Sequence, residues 1–145
     1  MIKSYRGLLA DITQDTINLH TNNGKTGYKI VKFELIPNVP GTVAQETICK
    51  IYKISQTAID GAIDFSDLTL LAAAYYQDSS SAGDNQMTTI IFDNETFNQD
   101  IFITNKDVSG NDPGAPINYY LELEQINLTE DQALVAIVKN LRNEQ

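Results

Sequence analysis

Tryptophan is missing from this chain, cysteine and histidine occur once each, and only ten of 145 residues are Lys or Arg. Each scarcity excludes something. A single Cys49 cannot close a disulfide within the chain or build a cysteine zinc cluster. A lone His20 has no second imidazole for a histidine metal site, and no Gly-x-Ser-x-Gly elbow accompanies it for nucleophilic catalysis. The two arginines, Arg6 and Arg142, lie near opposite ends, so the basic stripe of a nucleic-acid binder is absent. Nineteen acidic residues leave a net charge of −9, which repels phosphate backbones and anionic lipid. The apolar runs, such as Leu70–Tyr76, are far too short to cross a bilayer. Met1–Gly7 lacks the charged-then-apolar layout of a secretory signal, so synthesis in the cytoplasm is expected. Neither nucleic acid nor membrane is an expected partner.

What is present favours strands. Seventeen Ile, six Val, thirteen Thr, seven Tyr and five Phe suit a pleated, half-buried surface. Their segments are short and separated by turn residues. That pattern predicts a mainly β fold: an antiparallel β-sandwich or barrel, jelly-roll-like, formed by residues 1–145 as one domain. Asp15–Thr21 and Tyr28–Ile36 flank Asn22-Asn23-Gly24-Lys25, which reads as a hairpin with an Asn-Gly turn. The apolar phase of the second segment runs Tyr28, Ile30, then Val31, Phe33, Leu35, and that slip of one predicts a β-bulge near Val31. Glu46–Ile54, Thr88–Phe92 and Asp100–Thr104 read as further strands. Ile117, Tyr119, Leu121 and Leu123 alternate with polar partners before the phase flips at Gln125, which suggests a second bulge.

Two segments are ambiguous or helical. Leu68–Tyr76 fits a short helix or a buried strand; its alanines favour helix, with Asp67 as N-cap. Asp78–Gly83 reads as an exposed loop. In residues 129–143 the period changes, with Leu134, Val135, Val138 and Leu141 at helical spacing. Thr129 and Gln132 form a capping-box pattern, and Glu130 and Asp131 suit a helix N-terminus, so a short amphipathic C-terminal helix is expected.

The candidate sites yield no catalytic, cofactor-binding or metal-ligating residue, and no cofactor is expected. Cys49 reads as a small buried hydrophobe. His20 reads as a surface residue. Glu122 and Glu124 share the polar face of one strand, the ordinary composition of a solvent face. Asp60, Gly61, Ile63, Asp64 and Asp67 resemble the second half of an EF-hand or dockerin calcium loop. The first half fails: Ala58 supplies no side-chain oxygen at position 3, and Gln56 is a weak substitute for the Asp that calcium needs at position 1. The expectation is a turn without calcium.

Ile91–Thr104 (Ile-Phe-Asp-Asn-Glu-Thr-Phe-Asn-Gln-Asp-Ile-Phe-Ile-Thr), followed by Pro116–Glu124 (Pro-Ile-Asn-Tyr-Tyr-Leu-Glu-Leu-Glu), resembles small β-rich virion proteins of marine tailed bacteriophages. The Leu134–Arg142 tail is similar too. The resemblance implies a non-enzymatic structural protein of the virion, a capsid decoration, cement or minor capsid component. Its partners would be the major capsid protein or its own copies in a homo-oligomer. The reading from another class is a carbohydrate- or surface-binding β-sandwich module using exposed tyrosines such as Tyr75, Tyr76 or Tyr120. The missing Trp, a frequent stacking platform for sugars, argues against it.

Overall fold

A computed structural model describes residues 1–41, 43–78, 85–92, 95–111 and 113–143, with side chains described as far as Leu141. It contains β1 (Ile2–Leu9), β2 (Thr13–Ile17), β3 (Thr26–Pro37), β4 (Gln45–Tyr52), β5 (Leu70–Asp78), β6 (Asn85–Ile91), β7 (Ile101–Asp107), β8 (Ile117–Asn127) and α1 (Glu130–Asn143). The strands form two antiparallel sheets, one ordered β1-β8-β3 and the other β2-β7-β4-β5-β6. β1 to β4 alternate between the sheets, β4 to β7 stay in the five-stranded one and β8 returns to the other, so the two sheets stack as an open, jelly-roll-like sandwich, as the sequence predicts. Between them lie Leu9, Ile30, Phe33, Leu35, Cys49, Ile51, Leu71, Ile101, Ile103, Ile117, Leu121 and Leu123, all buried.

The bulge at Val31 is present. Ile30 pairs with Leu123 and Lys32 with Glu122, so Val31 is the extra residue and turns outward while Phe33 and Leu35 return to the core. The slip expected at Gln125 is not. The β3–β8 register runs unbroken from Glu124 to Asn127, so Ile126 lies on the face opposite Leu123, where it lines a groove with Leu128 and Val135.

One expectation is corrected, one open alternative is resolved and one strand is added. The Asp15–Thr21/Tyr28–Ile36 hairpin does not form, because β2 pairs with β7 and β3 with β8, in different sheets. The turn chemistry itself holds: Gly24 has φ 66°, and the Asn23 carboxamide oxygen accepts from the Lys25 amide at 2.9 Å. Of the two readings open for Leu68–Tyr76, the buried strand is the one that forms. Asp67 closes a turn by accepting from the Thr69 amide and hydroxyl, and a strand follows. Ala72 and Ala74 point into the core under β3, where small side chains allow the two sheets to approach closely. Finally, β1 had no counterpart among the expected strands; it pairs with β8 along its whole length. Residues 79–83 of the expected loop lie outside the described residues.

The terminal helix forms with its capping box. The Gln132 amide donates to Thr129 Oγ1 at 3.2 Å, and the Gln132 side chain accepts from the Thr129 amide at 2.9 Å. Its packing differs from expectation. Ala133 is buried against the Gly24 turn, with Ile137 beside it. Leu134, Val135, Val138 and Leu141 stand 61, 55, 43 and 56% exposed. The helix is short and rests on a turn rather than across a sheet, so the body covers only part of its apolar arc.

Candidate functional site

The outer face of the three-stranded sheet is built in rows. The register sets Arg6, Tyr120 and Glu34 side by side across β1, β8 and β3, with Leu8, Asn118 and Ile36 in the next row. These side chains line a shallow groove of about 510 Å³. Tyr120 lies on its floor, donates to Glu122 at 2.9 Å, and has Lys32 Nζ 5.9 Å from its ring centre. Glu124 pairs with Lys29 at 3.4 Å one strand away. The two glutamates are therefore both engaged in surface bonds. A half-exposed ring flanked by a guanidinium, a carboxylate and a carboxamide can stack on a flat ligand and bond its hydroxyls. Arg6, Glu34 and Asn118 were not singled out from the sequence. Their juxtaposition with Tyr120 depends on β1, whose alternation of Tyr5 and Leu9 with polar residues is too weak a signal alone.

The other candidate tyrosines do not converge on this face. Tyr76 is buried in the core, a correction to its expected exposure. Tyr75 donates to Glu46 at 2.5 Å, and that bond holds its hydroxyl up to about pKa 12. Cys49 is fully buried, and burial pushes its thiol pKa well up, leaving a packing group rather than a nucleophile. His20 lies beyond the end of β2, with Nδ1 2.7 Å from Asp100 Oδ1. Asp100 also accepts from the Leu19 and His20 amides. Burial raises the Asp100 pKa, but these partners outweigh it and the net shift is downward. The pair ties the β2 exit to the start of β7.

The calcium-like segment has a different cation. It folds over the outer face of the five-stranded sheet, where Lys50 Nζ reaches Asp60 Oδ1 at 3.2 Å and the Ala62 carbonyl at 2.6 Å. These are loop positions 5 and 7, which in an EF-hand present a side-chain and a backbone oxygen to calcium. The ammonium, only 4% exposed, lies where the front of that loop would draw a metal ion. The hydrogen bond from Lys50, with one from the Ala62 amide, holds the Asp60 carboxyl below its ordinary pKa. Asp64 closes its own turn on Ser66, and Asp67 closes another on Thr69. Among the described residues no three His, Cys, Asp or Glu side chains gather as a metal site. No helix there is long and apolar enough to cross a membrane.

No protein-family model matches the chain, and no curated protein is similar to it.

Proposed function

We propose that the protein is a structural component of a tailed-bacteriophage virion, a capsid decoration, cement or minor capsid protein, that acts by binding other virion proteins. The observation that carries this reading is the exposed apolar stripe of Leu134, Val138 and Leu141 on α1, with Val135 beside it. A helix that shows water three large aliphatic side chains at i, i+4 and i+7 has the form of a docking element. It is held firmly: the capping box fixes its start, and buried Asn98 donates to both the Gly24 and Ala133 carbonyls. The virion as the place of docking rests on the resemblance of Ile91–Thr104 and Pro116–Glu124. The test is mass spectrometry of gradient-purified particles, with wild-type chain or a Leu134→Asp/Val138→Asp variant supplied during infection. Incorporation of the wild type and exclusion of the folded variant is expected. Absence of the wild type from particles overturns the reading.

A second reading has its own observation, the groove floored by Tyr120 between Arg6 and Glu34. Jelly rolls serve in both capsid proteins and lectins, so the fold does not choose between the two. Glycan-array binding that disappears in Tyr120→Ala would favour a carbohydrate-binding module; a flat array removes it.

A further inference from the structure

We infer that the pocket between Phe65 and Phe92 receives an arginine side chain from a basic partner protein. It measures about 300 Å³ and lies where the segment after β4 turns into β5 and the chain leaves β6. Backbone bonds fix both sides of it. The Asp67 amide donates to the Asp64 carbonyl at 3.1 Å; the Phe92 amide donates to the Leu71 carbonyl at 3.0 Å and the Glu95 amide to the Phe92 carbonyl at 3.3 Å. Phe65, Asp67 and Leu68 from one segment thus share a single cavity with Phe92 and Glu95 from another.

Three properties of the lining select the occupant. The first is aromatic. The Phe65 and Phe92 ring centres are 5.4 Å apart and their planes stand at 88°. In such an edge-to-face pair the ring that presents its edge keeps both faces clear of the other, and the face of an aromatic ring attracts a cation. The second is charge. Asp67 Oδ1 accepts from the Thr69 amide and hydroxyl, and Glu95 Oε2 accepts from Lys53 Nζ at 2.8 Å. The other oxygen of each carboxylate accepts nothing from the described residues. Lys53 is buried and does not line the cavity. Two carboxylates against this one ammonium leave a negative charge that one cation balances. The third is an aliphatic side chain in water: Leu68 is 74% exposed.

Arginine meets all three. Its flat guanidinium stacks on a ring, its fork donates to carboxylate oxygens, and its methylene stem covers Leu68. An ammonium has no plane to stack and holds its water more tightly. A metal ion finds phenyl rings where it needs oxygens. The chain as a whole, at −9, draws a basic partner and repels an acidic one.

This inference names the partner chemistry within the assembly reading above and rests on that reading for its purpose. Its test is an NMR titration of the purified chain with N-acetyl-argininamide, its lysine counterpart, its citrulline counterpart (the same shape without the charge) and tetramethylammonium. The arginine probe should shift the Phe65, Leu68, Phe92 and Glu95 signals saturably, with Kd on the order of millimolar. Citrulline should bind about tenfold more weakly, and lysine and tetramethylammonium more weakly than arginine. Phe65→Leu removes a half-exposed ring, and Asp67→Asn keeps an acceptor for Thr69; each should weaken the arginine probe about threefold with unchanged circular dichroism. A titration that does not saturate overturns the inference. So do citrulline, lysine or tetramethylammonium binding as tightly as arginine, shifts spread over the whole acidic surface, or variants that bind like the wild type. A chain that binds the probe but is absent from particles keeps the pocket and loses the virion reading. One that enters particles without binding the probe keeps the virion reading and loses the pocket.

Discussion

Replacing Lys50 by Met tests whether an internal ammonium holds the Ser55–Asp67 segment against the sheet. Met keeps most of the buried stem and removes the charge. The ammonium bonds the Ala62 carbonyl at 2.6 Å and Asp60 at 3.2 Å, and lies 5.5 Å from the Tyr52 ring centre. A hydrogen bond to a charged group contributes about 1.5–3 kcal/mol. Ala62 is exposed and can bond water instead, which places its share at the low end. The Asp60 carboxylate is 67% exposed, so solvent screening limits that pair to below about 1 kcal/mol. The ring adds about 0.5–1 kcal/mol. Against these stands the desolvation cost of the buried ammonium, which Met does not carry. The balance predicts a loss of about 1–2 kcal/mol. At roughly 2–4 °C per kcal/mol for a chain of this size, the melting temperature should fall by about 2–8 °C. Urea unfolding monitored by circular dichroism supplies the free energy directly, with Asp60→Asn expected to cost less than Lys50→Met. A Lys50→Met protein as stable as the wild type refutes the reasoning. The segment would then be held by its apolar contacts, chiefly those of Val108 and Ile48 around Gly61.

Three further outcomes follow from local geometry. Melting curves in EDTA and in about 0.1 mM calcium should coincide. With Kd on the order of millimolar or weaker, linkage gives less than about 0.1 kcal/mol, and a clear calcium shift abolished by Asp60→Ala would contradict this. Ile12 adopts φ 56° in the β1–β2 turn while its side chain is exposed. A β-branched residue in the left-handed region costs about 1–2 kcal/mol, so Ile12→Asn should raise the midpoint of urea unfolding; an unchanged or lower midpoint counts against stored strain. Asp60, Asp100 and Asp107 all have lowered pKa values in the folded state. For Asp107, burial raises the value, but bonds from Ser109, Ala115 and Glu46 outweigh it. Groups with depressed folded values stabilise fully above their unfolded pKa and lose that contribution as pH falls through the folded one. Stability should therefore be flat near neutrality and fall below about pH 4, and a protein equally stable at pH 2.5 would contradict the assignment.

The sequence by itself determined everything that depends on neighbours along the chain. Alternation in Ile117–Leu123 gave β8, the slip between Ile30 and Val31 gave the bulge, and Thr129 with Gln132 gave the start of α1. Each is a local rule of period or capping, acting over a few residues. The missing side-chain oxygen at Ala58, with an uncharged Gln56 in place of an Asp, likewise spoke against a calcium loop.

Tertiary structure decided whatever depends on distant partners. An Asn-Gly turn was legible between β2 and β3, but not that its flanking strands enter different sheets, because pairing is set by which apolar faces meet across the core. The alanines of β5 favoured helix until β3 was seen to pass close above them. Lys50 as the cation of a loop ten residues away could not be read, since nothing in the sequence says that the loop folds back onto that strand. Tyr120 found Arg6 and Glu34 as neighbours only through register. The apolar stripe of α1 was visible as a pattern, yet its exposure was not: periodicity shows that a helix has an apolar face, and only the packed fold shows whether anything covers it.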